Sequence, residues 1–244
     1  FVFEQTRASD SMVILSDMSG MLLHALGDAG FVERAMRVAL RPGANWHEQW
    51  RGTNAIGTAI AAGASVTVHG AEHFLERNDF LTCTASPILD PTGRTLGVID
   101  ISGDRRTYHP HTLGLVHSAV RMVEHQLFES RHGNDLRVRL HTRPEGVGTL
   151  TEGLIAIAPD GRVLGADTTA AHLLGFDRSL IGSVTLEQLV SVDCDAMLAW
   201  SARHGRAPRL VQQPSGLALW LRLDTPARAA ATTYAPPSTP VQDA

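Results

Sequence analysis

The residues best suited to chemistry are two histidines and a glutamate in the stretch His-Gly-Ala-Glu-His at positions 69–73. The spacing HxxEH is that of one class of zinc peptidases, whose two histidines lie on one helical face while a third ligand completes the metal site. Here His69 ends a Val-Thr-Val strand and Gly70 follows it, so the stretch is predicted to straddle a strand-to-helix turn. We therefore expect polar or capping roles for His69 and His73 rather than a peptidase site.

Other catalytic patterns are missing from the sequence. It has no G-x-S-x-G, and Cys83 lies in a predicted strand between two threonines with no base beside it. All 21 basic residues are arginine, so a P-loop, which needs a lysine, is excluded within this chain. We predict that the chain is not an enzyme and needs no cofactor.

Small side chains predict a binding cavity instead. The strand expected at 81–88 carries small residues on both faces, and the helix expected at 55–62 is mostly Ala, Gly and Thr. Small residues facing each other either bring two backbones close together or leave a void. Asp100 interrupts an apolar run, and because an unpaired carboxylate there is costly, it must pair, cap the following turn or contact a ligand. A small, neutral molecule with hydroxyl or keto groups suits such a site. The predicted lining comprises Trp46, Trp50, Asn54, His69, His73, Phe74, Cys83 and Asp100.

Composition indicates a globular chain with room for one large or two ordinary domains. It has 244 residues, 43% of them hydrophobic and 19% charged, and a net charge of −4, which does not suggest a non-specific nucleic-acid or membrane surface. The two cysteines lie far apart, which favours a reducing cytoplasm over a disulfide framework. No apolar run reaches the roughly 18–20 residues of a membrane span. The first residue is not Met, so we expect a fragment of a longer protein.

The first part of the chain predicts strands mixed with helices, an α+β pattern. A hairpin is expected at 11–27, and a helix follows it and stops at Arg41-Pro42-Gly43. Thr53 or Asn54 is predicted to cap a short helix that Gly63 ends. Three strand candidates follow, and the turn Asp-Pro-Thr-Gly joins the last two.

A long helix is predicted from Pro110 to about Arg131. Apolar residues recur along it at spacings of three and four, as in a coiled-coil seam of about two heptads. The two interpretations are a dimerising signalling helix and a single amphipathic core helix. The seam consists of Leu113, Val116, Val120, Val123 and Leu127.

The remainder of the chain predicts a second, smaller α+β unit. Residues 132–148 are charged and contain Gly and Pro, so we predict a linker there. Residues 149–226 show a strand-turn-strand pattern, short helices and a closing hairpin around Pro214-Ser215-Gly216. The tail at 227–244, rich in Ala, Thr and Pro, is predicted to be flexible.

Several long motifs resemble the GAF sensor domain of sigma-54-dependent transcription activators related to the acetoin-catabolism regulator. These motifs cover most of residues 11–131, and the expected GAF domain is 1–131, an antiparallel sheet flanked by helices. A shorter resemblance, to a PAS domain, covers about 150–225 through the matches at 153–166 and 173–176. The GAF-like matches are Trp46, Glu48, Gly52 to Ala59, Val66 to Phe74, Leu81 to Asp104, His109 to Val116 and Val123 to Phe128.

The resemblance implies a cytoplasmic bacterial regulator. Family members carry this region before an AAA+ ATPase, which remodels sigma-54 RNA polymerase, and a helix-turn-helix that binds DNA; both output domains are absent from this chain. The GAF domain is expected to bind a small metabolite, acetoin in the namesake, and the resemblance adds Glu48 to the pocket positions. A homodimer through helix 110–131 is also expected.

Two alternatives to metabolite binding stay open. The first is a metal or haem sensor that uses His69 and His73 with His109 or His111 as further ligands. The second is a dimerisation scaffold whose pocket is filled by its own side chains.

Overall fold

A computed structural model describes residues 2–226 of the chain, and the predicted tail at 227–244 lies outside the described residues. The fold contains two five-stranded antiparallel sheets with helices packed against them, so the predicted α+β class is confirmed. The strand order is β2-β1-β5-β4-β3 in the first sheet and β8-β7-β6-β10-β9 in the second. The strands are β1 Ser11–Asp17, β2 Leu22–Gly27, β3 Val66–His69, β4 Leu81–Leu89, β5 Thr95–Asp104, β6 Leu136–His141, β7 Gly153–Ile157, β8 Val163–Ala166, β9 Arg209–Gln212 and β10 Ala218–Asp224. The helices are α1 Val2–Thr6, α2 Ala29–Arg37, α3 Glu48–Arg51, α4 Ala55–Ala62, α5 His111–Arg131, α6 Thr168–Leu174, α7 Leu186–Val190 and α8 Cys194–His204.

The central part of the first sheet is covered on both faces. Its strands alternate, so one face, here called the inner face, packs with α2 and α4 into one apolar cluster. The outer face packs against α5 through Ile88, Ile99 and Val120. The central strands β4 and β5 are therefore buried almost throughout, so small or apolar side chains occupy both of their faces.

Helix α4 begins and ends where the sequence indicates. The Asn54 side chain accepts a hydrogen bond from the Gly57 amide at 2.9 Å, and this satisfies one of the free N–H groups at the start of the helix. Gly63 ends the helix in the left-handed conformation, with φ of 61°. The small residues of α4 lie against β4 and β5, so the helix approaches the inner face closely.

The long helix α5 packs on its own chain along the predicted seam. Val116 and Val120 are buried, and Val123 and Leu127 pack against the outer face of the first sheet. This packing favours the alternative, an amphipathic core helix, for Val116 to Leu127. Leu113 is exposed, and a homodimer through helix 110–131 stays a prediction. Within residues 2–226 no helix is long and apolar enough to cross a membrane.

The predicted linker at 132–148 is wrong, because residues 136–141 form β6, the central strand of the second sheet. Val138 and Leu140 alternate inward, and both are fully buried. The intervening Arg137 and Arg139 form ion pairs with Glu129 of α5. Charges that look solvated in sequence are thus paired across a helix–sheet contact, and the second sheet starts before residue 149.

The second unit otherwise follows the prediction. Strands β7 and β8 form the expected hairpin, α6 is the expected short helix, and β9 and β10 form the hairpin around residues 214–216. The core of this unit is apolar and includes residues from every strand of the sheet and from α6, α7 and α8.

Helix α5 also contacts the second sheet, and so joins the two units. Phe128, near its C-terminal end, is fully buried and packs with Leu154 and Ala156 of β7. The Asp-Pro-Thr-Gly turn between β4 and β5 adds a backbone contact, in which the Ala166 amide donates to the Pro91 carbonyl at 2.8 Å.

Candidate functional site

The inner face of the first sheet contains a fully buried carboxyl group. Asp100 of β5 lies opposite Ile14 and Ala85 on the neighbouring strands, so its side chain points into the apolar cluster beneath α4. Its Oδ2 accepts a hydrogen bond from the Ser102 hydroxyl at 2.5 Å, whereas Oδ1 is buried and has no partner in the described chain. Burial raises the pKa of Asp100 to about 7. The group therefore titrates near neutral pH, with one oxygen free to bind a ligand.

Cys83 lies beside this carboxyl group but is not a nucleophile. Its Sγ is 3.0 Å from the Ser102 hydroxyl, and it is buried on the inner face. Burial raises the pKa of the thiol well above its usual value, and the charge of Asp100 adds to this effect. Because the thiolate is the reactive form of cysteine, Cys83 is unsuited to nucleophilic attack and serves as a small buried side chain of the inner face.

The loop between β3 and β4 supplies two more buried polar side chains. The Nδ1–H of His73 donates to the Gly70 carbonyl at 2.9 Å, which leaves Nε2 as a buried acceptor without a partner. Burial lowers the pKa of His73, so the imidazole is neutral. Asn78, 1% exposed, has no partner for either side-chain atom within residues 2–226.

The backbone places this loop beside the start of α4. The Phe74 amide donates to the Thr53 carbonyl at 3.0 Å, so His73 lies next to the residues that cap the helix. Buried polar groups without partners are rare, and each costs about 1–3 kcal/mol. Asp100, His73 and Asn78, here called the unpartnered polar set, carry a carboxyl, an imidazole and an amide group whose hydrogen-bonding capacity is not fully used within the described chain.

Three other predicted site residues stabilise the structure around the inner face and α4. Trp46 is buried in the inner-face cluster, and its Nε1–H donates to the Ala39 carbonyl at 3.0 Å. Glu48 accepts a hydrogen bond from the Thr58 hydroxyl at 2.6 Å and so fastens α3 to α4. Asn54 also donates from Nδ2 to the Gly52 carbonyl at 2.8 Å, in addition to capping α4.

The remaining predicted residues lie away from the inner face. Trp50 and Phe74 are 70% and 73% exposed, so the predicted bulky rim is wrong for both of them. Phe74 covers Gly52, where a Cβ would lie 2.2 Å from the aromatic ring. His69 is exposed, contacts the Thr82 hydroxyl at 3.2 Å and lies edge-on to Tyr108. Thr82 belongs to the outer face of the sheet, so His69 lies on that side. His73 is buried beside the start of α4, and the two histidines therefore do not point to a common site.

Four cavities stand out in the part of the chain that the structure describes. One of about 480 Å³ lies between the two units and includes His117, Glu124 and Thr168 in its lining. Another of about 480 Å³ is lined mainly by arginines. Two smaller ones have volumes of about 100 Å³ and 340 Å³. None of the four is lined by Trp46, Asn54, His73 or Cys83, and the side chains of α4 and the inner face pack there into one apolar cluster.

Sequence reasoning missed Asn78 and Ser102. Ser102 could have been found, because it lies two residues after Asp100 on the same face of a strand and is the nearest hydroxyl in sequence. Asn78 gives no such indication, since an asparagine in a loop is ordinarily exposed and its burial depends on how the loop folds back.

The fold has a clear structural relative. The crystal structure entitled the E. coli DhaR(N)-DhaL complex superposes with a TM-score of 0.51 over 91% of this chain and 81% of that chain, at 17% identity. This likeness covers both sheets and identifies the architecture as that of the DhaR N-terminal region.

The sequence assigns the chain to a family. Residues 3–125 match the family model described as MimR, N-terminal domain, and the chain belongs to this family. The acetoin catabolism regulatory protein of Cupriavidus necator is 32% identical over 71% of this chain and 26% of that protein. The propane 2-monooxygenase operon transcriptional activator MimR of Mycolicibacterium smegmatis is 35% identical over 47% of this chain and 20% of that protein.

These relatives are named as regulators of transcription, not as enzymes, and the chain corresponds to the sensor region of such activators. It spans about a quarter of the length of the curated relatives it matches first, with 27% and 26% of those proteins covered.

Proposed function

We propose that this chain is the metabolite-sensing region of a cytoplasmic, sigma-54-dependent transcription activator. The first unit is a GAF-like domain that binds a small neutral molecule between its inner face and α4. The second unit is a PAS-like domain that transmits the change. The AAA+ and DNA-binding domains that deliver the output lie outside this chain.

The observation that carries the proposal is the unpartnered polar set. An effector hydroxyl would donate to Oδ1 of Asp100 or Nε2 of His73, and an effector carbonyl would accept from Nδ2 of Asn78. Acetoin and related ketones and diols combine these groups in a few heavy atoms. The name of the Cupriavidus relative, which refers to acetoin catabolism, agrees with this chemistry.

The pocket is closed in this structure, so binding requires a change of conformation. A buried site covers most of the surface of a small ligand, so α4 or the loop at 70–80 would have to move to admit one. The loop carries two of the three unpartnered side chains. A molecule that satisfies these groups stabilises the open arrangement by its difference in affinity for the two states. A difference of a few kcal/mol is enough to shift the population.

Glu124 provides a route from the pocket to the second unit. Its Oε1 accepts from the Leu89 amide at 2.8 Å at the end of β4, and its Oε2 accepts from the Thr168 hydroxyl at 2.8 Å at the start of α6. Burial raises the pKa of this carboxyl group. A shift of β4 beneath an effector therefore reaches α6 through one side chain.

Calorimetry and thermal melts with acetoin, 2-butanone, 2,3-butanediol and phenol test the proposal. We expect at least one of them to raise the melting temperature, because a ligand at 100 times its Kd stabilises by about 2.7 kcal/mol. Asn78→Leu should weaken that binding about tenfold, since one hydrogen bond is lost. Trp50→Ala is the matched control and should bind normally.

The second candidate function is a scaffold with a filled pocket, which the packing of Trp46 and α4 against the inner face favours. In that case no compound in the series binds, and Asn78→Leu stabilises the fold because it removes a buried unpaired amide. Stoichiometric metal or haem in the purified protein would contradict both functions.

A further inference from the structure

A second concave site, distinct from the unpartnered polar set, lies at the far end of β5. The cavity has a volume of about 480 Å³. Three segments that are far apart in sequence contribute to it: α2, the loop before β4, and the turn after β5. Five of the chain's 21 arginines line it, although the chain as a whole carries a net charge of −4. The lining of this arginine cavity is Arg34, Arg37, Val38, Arg77, Phe80, Asp104, Arg105 and Arg106.

Asp104 organises one side of the arginine cavity. It is 3% exposed, and its Oδ2 accepts from Arg34 Nη1 at 2.6 Å and from Arg106 Nη2 at 2.9 Å. Its Oδ1 also accepts from the Arg106 amide at 2.9 Å and caps the turn after β5. The Arg106 guanidinium holds the pKa of this carboxyl group well below its usual range, so Asp104 stays ionised. The two guanidinium groups are thereby fixed in position.

Two further carboxylates reach the edge of the arginine cavity. Asp10 pairs with Arg34, and Asp79 pairs with Arg105. The carboxylates of Asp10, Asp79 and Asp104 therefore meet three of the five arginines directly.

Among the five lining arginines, the side chains of Arg37 and Arg77 form no hydrogen bond or ion pair within residues 2–226. They come from different segments of the chain, Arg37 from α2 and Arg77 from the loop before β4. Val38 and Phe80 add apolar side chains to the lining. The carboxylates thus leave an excess of positive charge around a concave space, which is the arrangement that concentrates anions.

We propose that the arginine cavity binds the oxyanion group of a small anionic metabolite, a phosphoryl or carboxylate group. Guanidinium groups match these oxyanions with paired, parallel N–H donors, and such charge-assisted hydrogen bonds are stronger than neutral ones. Arg37 and Arg77 make the primary contacts, while Arg34 and Arg106, held by Asp104, supply the surrounding positive field. This site goes beyond the proposed neutral-effector pocket, because it takes a ligand of opposite chemistry through different side chains.

Calorimetric titration of the chain with pyrophosphate and with citrate tests this assignment, with sodium chloride used to keep the ionic strength constant. We expect at least one of the two anions to bind saturably. Binding of pyrophosphate alone identifies a phosphoryl ligand, and binding of citrate alone identifies a carboxylate ligand.

The double variant Arg37→Gln/Arg77→Gln should weaken that binding at least tenfold. Both side chains are exposed and unpaired, so the fold should keep its melting temperature. The matched control, Arg203→Gln/Arg206→Gln, removes the same charge from the second unit and should bind as the unmodified chain does. Absence of saturable binding to either anion, or an equal loss in the control, would overturn the assignment.

Discussion

The two sheets of this chain have the same number of strands and the same antiparallel pairing, but their cores differ in chemistry. The core of the second sheet is an unbroken apolar cluster, built from residues such as Val138, Leu140 and Leu221. The inner face of the first sheet holds Asp100, Ser102 and Cys83 among its apolar residues. The second unit also buries Glu152, Asp167 and Gln213, but these lie outside its apolar cluster. The contrast between the two cores supports the proposal that the first unit binds the ligand.

The unpartnered atoms sharpen this contrast. Those of Asp100, His73 and Asn78 belong to the first unit and lie on its inner face or in the loop beside α4. In and around the second sheet the unpartnered atoms are those of His132 and Arg137, which lie at the contact with α5 and not in the apolar core. Polar groups left unsatisfied at the cost of stability are expected where function requires them.

The largest expected effect on stability comes from placing a carboxyl group in the apolar core of the second sheet, because the core of the first sheet already accommodates Asp100. Leu140 is fully buried between Leu221 and Gly153 on the neighbouring strands. Leu140→Asp should lower the free energy of unfolding by more than about 4 kcal/mol, because the new carboxyl group has no partner there. Urea denaturation measures the loss, and Leu140→Met, which should cost less than about 1.5 kcal/mol, is the control. A stable Leu140→Asp chain would show that the two cores do not differ as described.

A smaller effect is expected from the pH dependence of Asp100. Its pKa of about 7 in the folded state is above the value of 3.8 for an exposed aspartate. The folded chain therefore holds this proton more tightly, and the stabilisation, complete below about pH 4, is lost as pH rises through 7. Relative to Asp100→Asn, the chain should lose about 2.5 kcal/mol of stability between pH 5 and pH 8.

Urea denaturation of both chains at the two pH values gives this difference. The control is Asp195→Asn, which removes an exposed carboxyl group and should follow the unmodified chain at both pH values. A difference that does not change with pH would mean that Asp100 is ionised throughout and is not desolvated as the inner face implies.

The smallest expected effect on stability distinguishes Asn54 from Trp50, which the sequence analysis placed in the same predicted pocket. Asn54→Ala should destabilise by about 1 kcal/mol, because the cap of α4 is lost. Trp50→Ala should change stability by less than about 0.5 kcal/mol, because this side chain is mostly exposed. Thermal melts of the two variants side by side decide the point, and equal effects would indicate that Trp50 is packed against something in solution.

Most of the fold was predictable because its elements obey local rules. The cap at Asn54, the ending of α4 at Gly63 and the hairpin turns at 90–93 and 214–216 depend on residue types at fixed positions. Strand β6 was missed because Arg137 and Arg139 gave its sequence the look of a linker. The alternation of Leu136, Val138 and Leu140 was visible, but the partner of the arginines, Glu129, is on another element, and pairing of that kind cannot be read from local sequence.

The candidate site was less predictable for the same reason. Burial of Asp100 follows from the apolar run around it, but its free oxygen depends on where Ser102, Cys83 and α4 come to lie. The sequence interpretation placed Trp50 and Phe74 near the pocket because they are close along the chain. The short helix α3 and the close contact of Phe74 with Gly52 turn both side chains towards solvent. The direction of a side chain on a short segment is set by tertiary contacts, which spacing alone does not reveal.

Helix α5 is wedged between two sheets, with Val120 packed on one and Phe128 on the other. Because α5 is packed on both sides, it cannot tilt against one sheet without loosening its packing against the other. Under the proposed function, a rearrangement beneath α4 that displaces this helix would also disturb the packing of Phe128 on β7, which would make the two units change state together.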